Sequence, residues 1–167
     1  MDDITTQAIL ESPCIFTKRP AAIHPDLRPL RRVVILLLLI DACRASVANL
    51  EQLHVLDWAI RNAESRQRLL EFLLGIRAPE AAIVRFDPSL DRAVCLAVGA
   101  DLVSVAQKSR NGKGLPDFRI SITPQGRKAL DGLAPDTLPI ERAFLRSLPN
   151  RLTQSDVSAL FEWGNQG

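Results

Sequence analysis

The residues that most often carry chemistry are scarce in this chain. It has only two histidines and three cysteines in 167 residues. Cys14, Cys43 and Cys95 lie far apart, so no pair has the spacing of a metal site or a redox motif. Each has apolar neighbours, which predicts buried free thiols. His54 has no second ligand at metal-binding spacing, and a structural histidine beside Trp58 is the favoured interpretation.

Sequence motifs of catalysis are also missing. Gly112-Lys113-Gly114 is too short for a phosphate-binding loop and lies in a predicted turn, not between a strand and a helix. No HExxH and no Gly-x-Ser-x-Gly segment occurs. Asp87 and Asp91 form a carboxylate pair, but helix capping and solubility explain them better than acid–base chemistry. We therefore expect no enzyme, no cofactor, no metal and no small-molecule substrate.

No apolar run is long enough to span a bilayer. The longest, residues 33–40, is far below the roughly 20 residues that a membrane helix needs. The N-terminus, Met-Asp-Asp-Ile, lacks the basic start and apolar segment of a secretory signal. We expect a cytoplasmic protein without membrane contact.

The apolar content is high enough to build a core, at 47% apolar against 24% charged residues. Proline and glycine positions divide the chain into predicted helices. The first helix is apolar nearly all round, including Leu36, which predicts burial on several sides or sharing with a partner. Arg32, Asp41 and Arg44 mark its polar ends. The predicted helices cover about residues 29–43, 48–62, 65–74, 88–98, 123–133 and 140–148, with a last helix from Thr153.

Residues 102–122 are predicted to form a β-hairpin. Strands at residues 102–108 and 117–122 flank a polar, glycine-bearing turn at residues 109–114. Thr123 and Pro124 then suit the cap and first position of a helix. A short strand or extended link is predicted at residues 81–86.

The predicted order of elements, a helix that leads into a basic hairpin, is typical of a winged helix. The expected fold class is mainly α with a small β-hairpin, a winged helix-turn-helix with an extended N-terminal arm and C-terminal helices. The predicted domains are an N-terminal arm at residues 1–28, a winged-helix domain at 29–133 and a helical tail at 134–167. The prolines of the arm argue against a long helix there.

The hairpin carries the candidate nucleic-acid residues. Lys108, Arg110, Lys113 and Arg119 could contact phosphates of double-stranded DNA without sequence preference. The competing interpretation is a basic turn that only increases solubility.

The helix before the hairpin is poorly suited to base readout. The segment from Asp87 to Asp101 has a net charge of −2, because it contains one basic residue, Arg92, and three acidic residues, Asp87, Asp91 and Asp101. Residues 93–98 are continuously apolar, so this helix favours protein contact over the major groove. The predicted protein-interface residues are Leu90, Val94, Val98, Leu36, Phe144 and Phe161.

Four segments carry a resemblance to a known family. They are Leu-Arg-x-Leu-Arg-Arg with the apolar helix at residues 27–40, Leu-His-Val-Leu-Asp-Trp-Ala-Ile-Arg at 53–61, Phe-Asp-Pro-Ser-Leu-Asp-Arg-Ala at 86–93 and Ile-Thr-Pro-Gln-Gly at 122–126. Together the pattern resembles the small middle component of bacterial ABC-three-component systems, best known as the Lamassu anti-phage systems. The resemblance implies a non-catalytic winged-helix subunit that works with an SMC-like ATPase and an effector, often a nuclease.

Two functions remain open at this point. The first is an accessory subunit of an SMC-like ATPase complex in anti-phage or anti-plasmid defence, which bridges ATPase and effector through protein contacts. It predicts apolar surface that a partner covers. The second is a winged-helix transcription regulator acting as a homodimer, which predicts a specific palindromic site and an exposed basic helix before the hairpin.

Overall fold

The computed structural model describes residues 28–76, 87–108, 117–149, 152–153, 155–157 and 160. This part of the chain forms six longer helices and a small antiparallel sheet. The helices are α1 (Pro29–Ala42), α2 (Leu50–Ile60), α3 (Ala63–Leu73), α4 (Pro88–Gly99), α5 (Pro124–Asp131) and α6 (Pro139–Ser147). The strands are β1 (Val47–Asn49), β2 (Val103–Lys108) and β3 (Asp117–Ile122). The expectation of a mainly helical fold with a small hairpin is confirmed.

Helix α1 is the centre of the fold. Pro29 occupies its first turn, where the missing N–H costs nothing. The six residues from Ile35 to Ile40 are all buried, because α2, α4, α5, α6 and β3 pack around this helix. Continuous burial explains why the sequence is apolar on nearly every side. The predicted burial of this helix on several sides is therefore confirmed.

Strand β1 was not anticipated. We expected a helix from residue 48, but Val47–Asn49 pairs with β3, and Ala48 is fully buried opposite Ile120. A short turn at Arg44–Ser46, with Ala45 and Ser46 at positive φ, delivers the chain to the sheet edge. Asn49 then begins α2 through a capping box with Gln52. Tertiary pairing therefore decided the conformation of Ala48 and Asn49, which local pattern assigned to a helix.

The sheet has the order β1-β3-β2, and both pairings are antiparallel. In the hairpin Val103 lies opposite Ile122 and Val105 opposite Ile120. Val103 and Ile120 are buried, whereas Val105 and Phe118 are almost half exposed where the hairpin extends beyond the core. The predicted strands are confirmed, and the predicted turn at residues 109–114 lies outside the described residues, as does the extended link at 81–86.

The C-terminal region packs into the same core as α1. Four buried side chains from this region belong to that core: Phe144 of α6, Leu152, Val157 and Leu160. Helix α6 is joined to α1 by an ion pair between Arg31 and Glu141 at 2.9 Å. The predicted tail at 134–167 is therefore not structurally separate where it is described, and nearly all of the predicted arm at 1–28 lies outside the described residues. None of the described helices is both long enough and apolar enough to span a membrane.

Candidate partner and nucleic-acid surfaces

The N-terminal end of α4 is fixed by Asp87. Its Oδ1 accepts a hydrogen bond from the backbone N–H of Ser89 at 2.8 Å, which satisfies one of the free donors of the first turn. Its Oδ2 accepts from the guanidinium groups of Arg32 and Arg61. One carboxylate thereby caps α4 and connects it to α1 and α2. The prediction of Asp87 as a cap is confirmed.

The partner of Arg32 is the buried carboxylate of Asp57. Arg32 Nη1 lies 2.9 Å from Asp57 Oδ1, and Arg61 Nη2 lies 2.7 Å from Asp57 Oδ2. The side chain of Asp57 is only 1% exposed and that of Arg32 only 7%. The two arginines and the carboxylates of Asp57 and Asp87 form what we call the charge cluster. Arg32 lies in the first turn of α1, at the polar end that we expected, and its charge is compensated inside the protein.

The pKa values of Asp87 and Arg61 follow from the geometry of the cluster. Burial raises the pKa of Asp87, but the hydrogen bonds from Ser89 and the nearby Arg61 and Arg32 outweigh it and leave that pKa lower than usual. Burial also works against the charge of Arg61, yet hydrogen bonding to Asp57 and the two carboxylate charges raise its pKa. Both shifts favour the charged forms, so Asp87 and Arg61 are ionised at neutral pH.

His54 connects α2 to the same helix end. It is 1% exposed, and its Nδ1 accepts a hydrogen bond from the backbone N–H of Asp87 at 3.3 Å. Its Nε2 lies 3.5 Å from Asp91 Oδ1. Burial lowers the pKa of His54 more than the charges of Asp91, Asp57 and Asp87 raise it. The imidazole is neutral at pH 7, and its Nδ1 accepts the hydrogen bond that joins α2 to the start of α4.

The C-terminal end of α4 is held by close backbone packing. Thr123 Oγ1 donates to the carbonyl of Asp101 at 2.6 Å and accepts from Gly126 N–H, which caps α5. Gln125 Nε2 donates to the carbonyl of Ala100. A Cβ on Gly126 would lie 2.0 Å from the carbonyl oxygen of Leu102, closer than atoms can approach. Glycine at this position lets α5 dock on the turn that leads from α4 into the hairpin.

The outward surface of α4 combines apolar and acidic character. Leu96 is 50% exposed and Val98 44%, while Asp91, Arg92 and Cys95 are exposed beside them. Asp87 belongs to the charge cluster and does not contribute to the outward surface. The exposed charged side chains are then Asp91, Asp101 and Arg92, so the net charge of this surface is −1 and not −2. The expected burial of Cys95 is wrong, whereas Cys43 is buried as predicted. Cys14 lies outside the described residues.

The predicted interface residues divide into three groups. Leu36 and Leu90 are 0% exposed and Phe144 5%, so they face the chain's own core and present no surface to a partner. Val94 is partly buried, and Val98 is exposed as an interface residue must be. Phe161 lies outside the described residues. The correction has a simple cause, because an apolar side chain in sequence is equally suited to a core or to an interface.

Sequence reasoning missed Leu96, which is more exposed than Val98, the other exposed large apolar side chain of α4. Leu90, Ala93 and Ala97 are separated by three and four positions and form the buried face of the helix. Leu96 follows Leu90 by six positions, which places it about 120° away from Leu90 around the helix. The helical period could therefore have separated Leu96 from the core residues once the buried face was assigned.

Two of the four candidate nucleic-acid residues lie on the strands of the hairpin. Lys108 ends β2 opposite Asp117, and Arg119 is exposed on β3 opposite Ala106 and Asn49. Arg110 and Lys113 lie outside the described residues. Arg127, which follows on α5, is engaged by Asp41 at 2.6 Å and by Ser46. Its neighbour Lys128 is exposed.

No group of three or more histidine, cysteine or acidic side chains capable of holding a metal occurs in the part of the chain that the structure describes. Comparison with family models, with curated proteins and with solved structures gives no match to this chain.

Proposed function

We propose that the fold is a winged helix. The support is the succession of α1, β1, α2, a further pair of helices, β2 and β3, together with the strand order β1-β3-β2. A winged helix arranges its three strands in this way, with the first strand on the outer side of the third. In that arrangement α4 occupies the position of the recognition helix and the β2–β3 hairpin that of the wing.

We propose further that the protein is a non-catalytic accessory subunit that acts through protein contacts. The observation that supports this most is the outward surface of α4, where Leu96 and Val98 stand beside Asp91. A recognition helix that reads bases exposes several arginine, asparagine, glutamine, serine or threonine side chains. An acidic side chain on the same surface repels the DNA phosphates. Half-exposed apolar side chains are suited instead to a partner that removes them from water.

The proposed partners are an SMC-like ATPase and an effector subunit, such as a nuclease, of a bacterial anti-phage or anti-plasmid complex. This part of the proposal rests on the family resemblance of residues 27–133. The wing adds a second contact, in which Lys108, Arg110, Lys113 and Arg119 touch the DNA backbone without reading sequence. The accessory subunit would then connect ATPase, effector and DNA.

Inspection of the neighbouring genes for an SMC-like ATPase, followed by its co-expression with this chain, tests the protein contact. We expect a stable complex on size-exclusion chromatography, and we expect the double variant Leu96→Glu with Val98→Glu to abolish it. Both side chains are exposed, so the variant should unfold at the same temperature as the parent. Ile76→Glu, at a residue 70% exposed near the end of α3, is the matched control and should leave the complex intact. Absence of a complex, or equal loss with both variants, contradicts the proposal.

Binding to two unrelated DNA duplexes tests the wing. We expect weak, salt-dependent association that reversal of Lys108, Arg110 and Lys113 to glutamate reduces equally on both duplexes. A stable homodimer that binds one palindromic duplex specifically at physiological salt would instead establish the transcription-regulator alternative.

A further inference from the structure

Strand β2 lies at an edge of the sheet. In the order β1-β3-β2 it pairs with β3 alone among the residues that the structure describes. The four residues from Ser104 to Gln107 are all exposed, so this edge is open to solvent. A strand edge of this kind presents backbone donors and acceptors that another strand can use.

One hydrogen bond shows which backbone groups of β2 face outward. The carbonyl of Leu102 accepts from the backbone N–H of Thr123 at 3.1 Å, so Leu102 directs its carbonyl toward β3. Along an antiparallel pair, residues that bond to the neighbouring strand alternate with residues that do not. The even-numbered residues of β2 therefore bond to β3. The N–H and C=O groups of Val103, Val105 and Gln107 point away from it.

The usual protections of an edge strand do not occur in β2. Its six residues, Val103–Lys108, contain no proline, and its register with β3 is continuous, without a bulge. The residues on its core-facing side are uncharged. Val105 on that side is 44% exposed, beside the buried Ile120 of β3. An added strand would therefore gain backbone hydrogen bonds and would cover an apolar side chain.

We propose that β2 pairs antiparallel with β2 of a second copy of this chain, which joins the two sheets into one. Backbone bonding requires outward-directed residues to lie opposite each other. This condition is met at three positions when Val105 lies opposite Val105 of the second copy, because Val103 and Gln107 then pair in both directions. The two Val105 side chains lie on the same side of the joined sheet and extend the apolar row that begins at Ile120.

The charges along β2 also suit a second copy. In this register Lys108 of each copy lies opposite Leu102 of the other and next to its Asp101. Residues of opposite charge thus meet at both ends of the contact, and no like charges face each other. A single strand pair buries less surface than a standard interface, so the dimer is weak and reversible. It involves neither an ATPase nor DNA and does not depend on the proposed function.

Sedimentation of the intact chain over a range of concentrations tests the pairing. We expect a dimer with a Kd of about 10–100 µM. Val105→Lys and Val105→Glu each place like charges opposite one another on the two-fold axis and should weaken the dimer at least about tenfold. An equimolar mixture of the two variants pairs opposite charges and should associate about as strongly as the parent. Ile140→Lys, at a residue 61% exposed on α6, is the control and should dimerise like the parent.

A parent chain that remains monomeric up to about 1 mM overturns the proposal. So does a mixture that associates no better than the separate variants, because another contact would then hold the dimer. Equal weakening by Ile140→Lys has the same consequence.

Gln107→Pro tests the backbone pairing itself. Its missing N–H points away from β3, so the hairpin keeps its own hydrogen bonds and the variant should melt close to the parent. The dimer should be lost, because proline removes a donor from the edge. Gln107→Ala keeps that N–H and should dimerise like the parent. A proline variant that still dimerises, or equal loss with alanine, overturns the proposal.

Discussion

The two ends of helix α4 are fixed by different physical means. At its beginning, Asp87 and the charge cluster join it to α1 and α2 through ionised side chains. At its end, the turn at residues 100–102 meets Gly126 in a backbone contact with no space for a Cβ. The first end depends on charge balance and the second on shape. A helix held in both ways keeps its outward surface, and the hairpin that follows, in a defined position.

Breaking the charge balance should have the largest effect. Asp57→Asn leaves the buried guanidinium of Arg32 without its principal counter-charge, because Asp87 makes only the longer 3.2 Å contact. We expect the free energy of unfolding to fall by about 3–5 kcal/mol, measured by urea denaturation. The matched control is Glu64→Gln, which removes the exposed ion pair with Arg68 and should cost less than about 1 kcal/mol.

A compensating variant distinguishes charge balance from general disruption. Arg61 and Asp87 would still balance each other after Arg32→Met is combined with Asp57→Leu. The double variant should therefore recover most of the stability lost in Asp57→Asn. A double variant less stable than Asp57→Asn would contradict this account.

Adding one methyl group at the other end should have the next largest effect. Gly126→Ala forces a Cβ against the carbonyl of Leu102 and should cost about 1–3 kcal/mol or more, despite the better helix propensity of alanine. Gly99→Ala is the matched control, since its Cβ would meet nothing within 4 Å. It should be neutral or stabilising by thermal denaturation. Equal effects of the two substitutions would refute the close-approach argument.

Removing one hydroxyl between the hairpin and α5 should have a smaller effect. Thr123→Val keeps the shape of the side chain but loses the cap on Gly126 and the bond to the Asp101 carbonyl. We expect a loss of about 1–2 kcal/mol in chemical denaturation. Thr123→Ser should retain most of the stability, and a serine variant as unstable as valine would show that the hydroxyl is not responsible.

The smallest expected effect is on the pH dependence of stability. The pKa of His54 is lower in the folded protein than its ordinary value of 6.5, so the unfolded chain binds a proton more readily. The stability that neutral His54 supports is present above pH 6.5 and is lost as the pH falls towards the folded pKa. His54→Gln should flatten the stability profile in this range. The slope from Asp87 lies lower, below its ordinary pKa of 3.8.

Local pattern was enough to place most elements. Pro29, Asp87-Pro88 and Thr123-Pro124 mark helix starts that the structure reproduces, because capping and the fixed φ of proline act within a few residues. The strands of the hairpin also followed from their alternation and the turn between them. These features depend on interactions that are close in sequence, so they can be predicted without knowing the fold.

The candidate surfaces could be predicted only in part. Apolar character alone did not separate Leu36 and Leu90, which are buried in the chain's own core, from Leu96 and Val98, which are exposed. Nor did it show that Cys95 faces solvent. Burial depends on which neighbouring element covers a residue, and that information is not local.

What the sequence by itself determined is the approximate set of helices, the caps at Asp87 and Thr123 and the strands of the hairpin, since these follow from short-range backbone chemistry. Only the tertiary structure decided that Val47–Asn49 becomes the third strand, because Ala48 gains burial opposite Ile120. The same holds for Arg32 and Asp57, which are separated by 25 residues yet form a buried pair. Long-range pairing determines which charges are neutralised, and with them which side chains of α4 remain exposed.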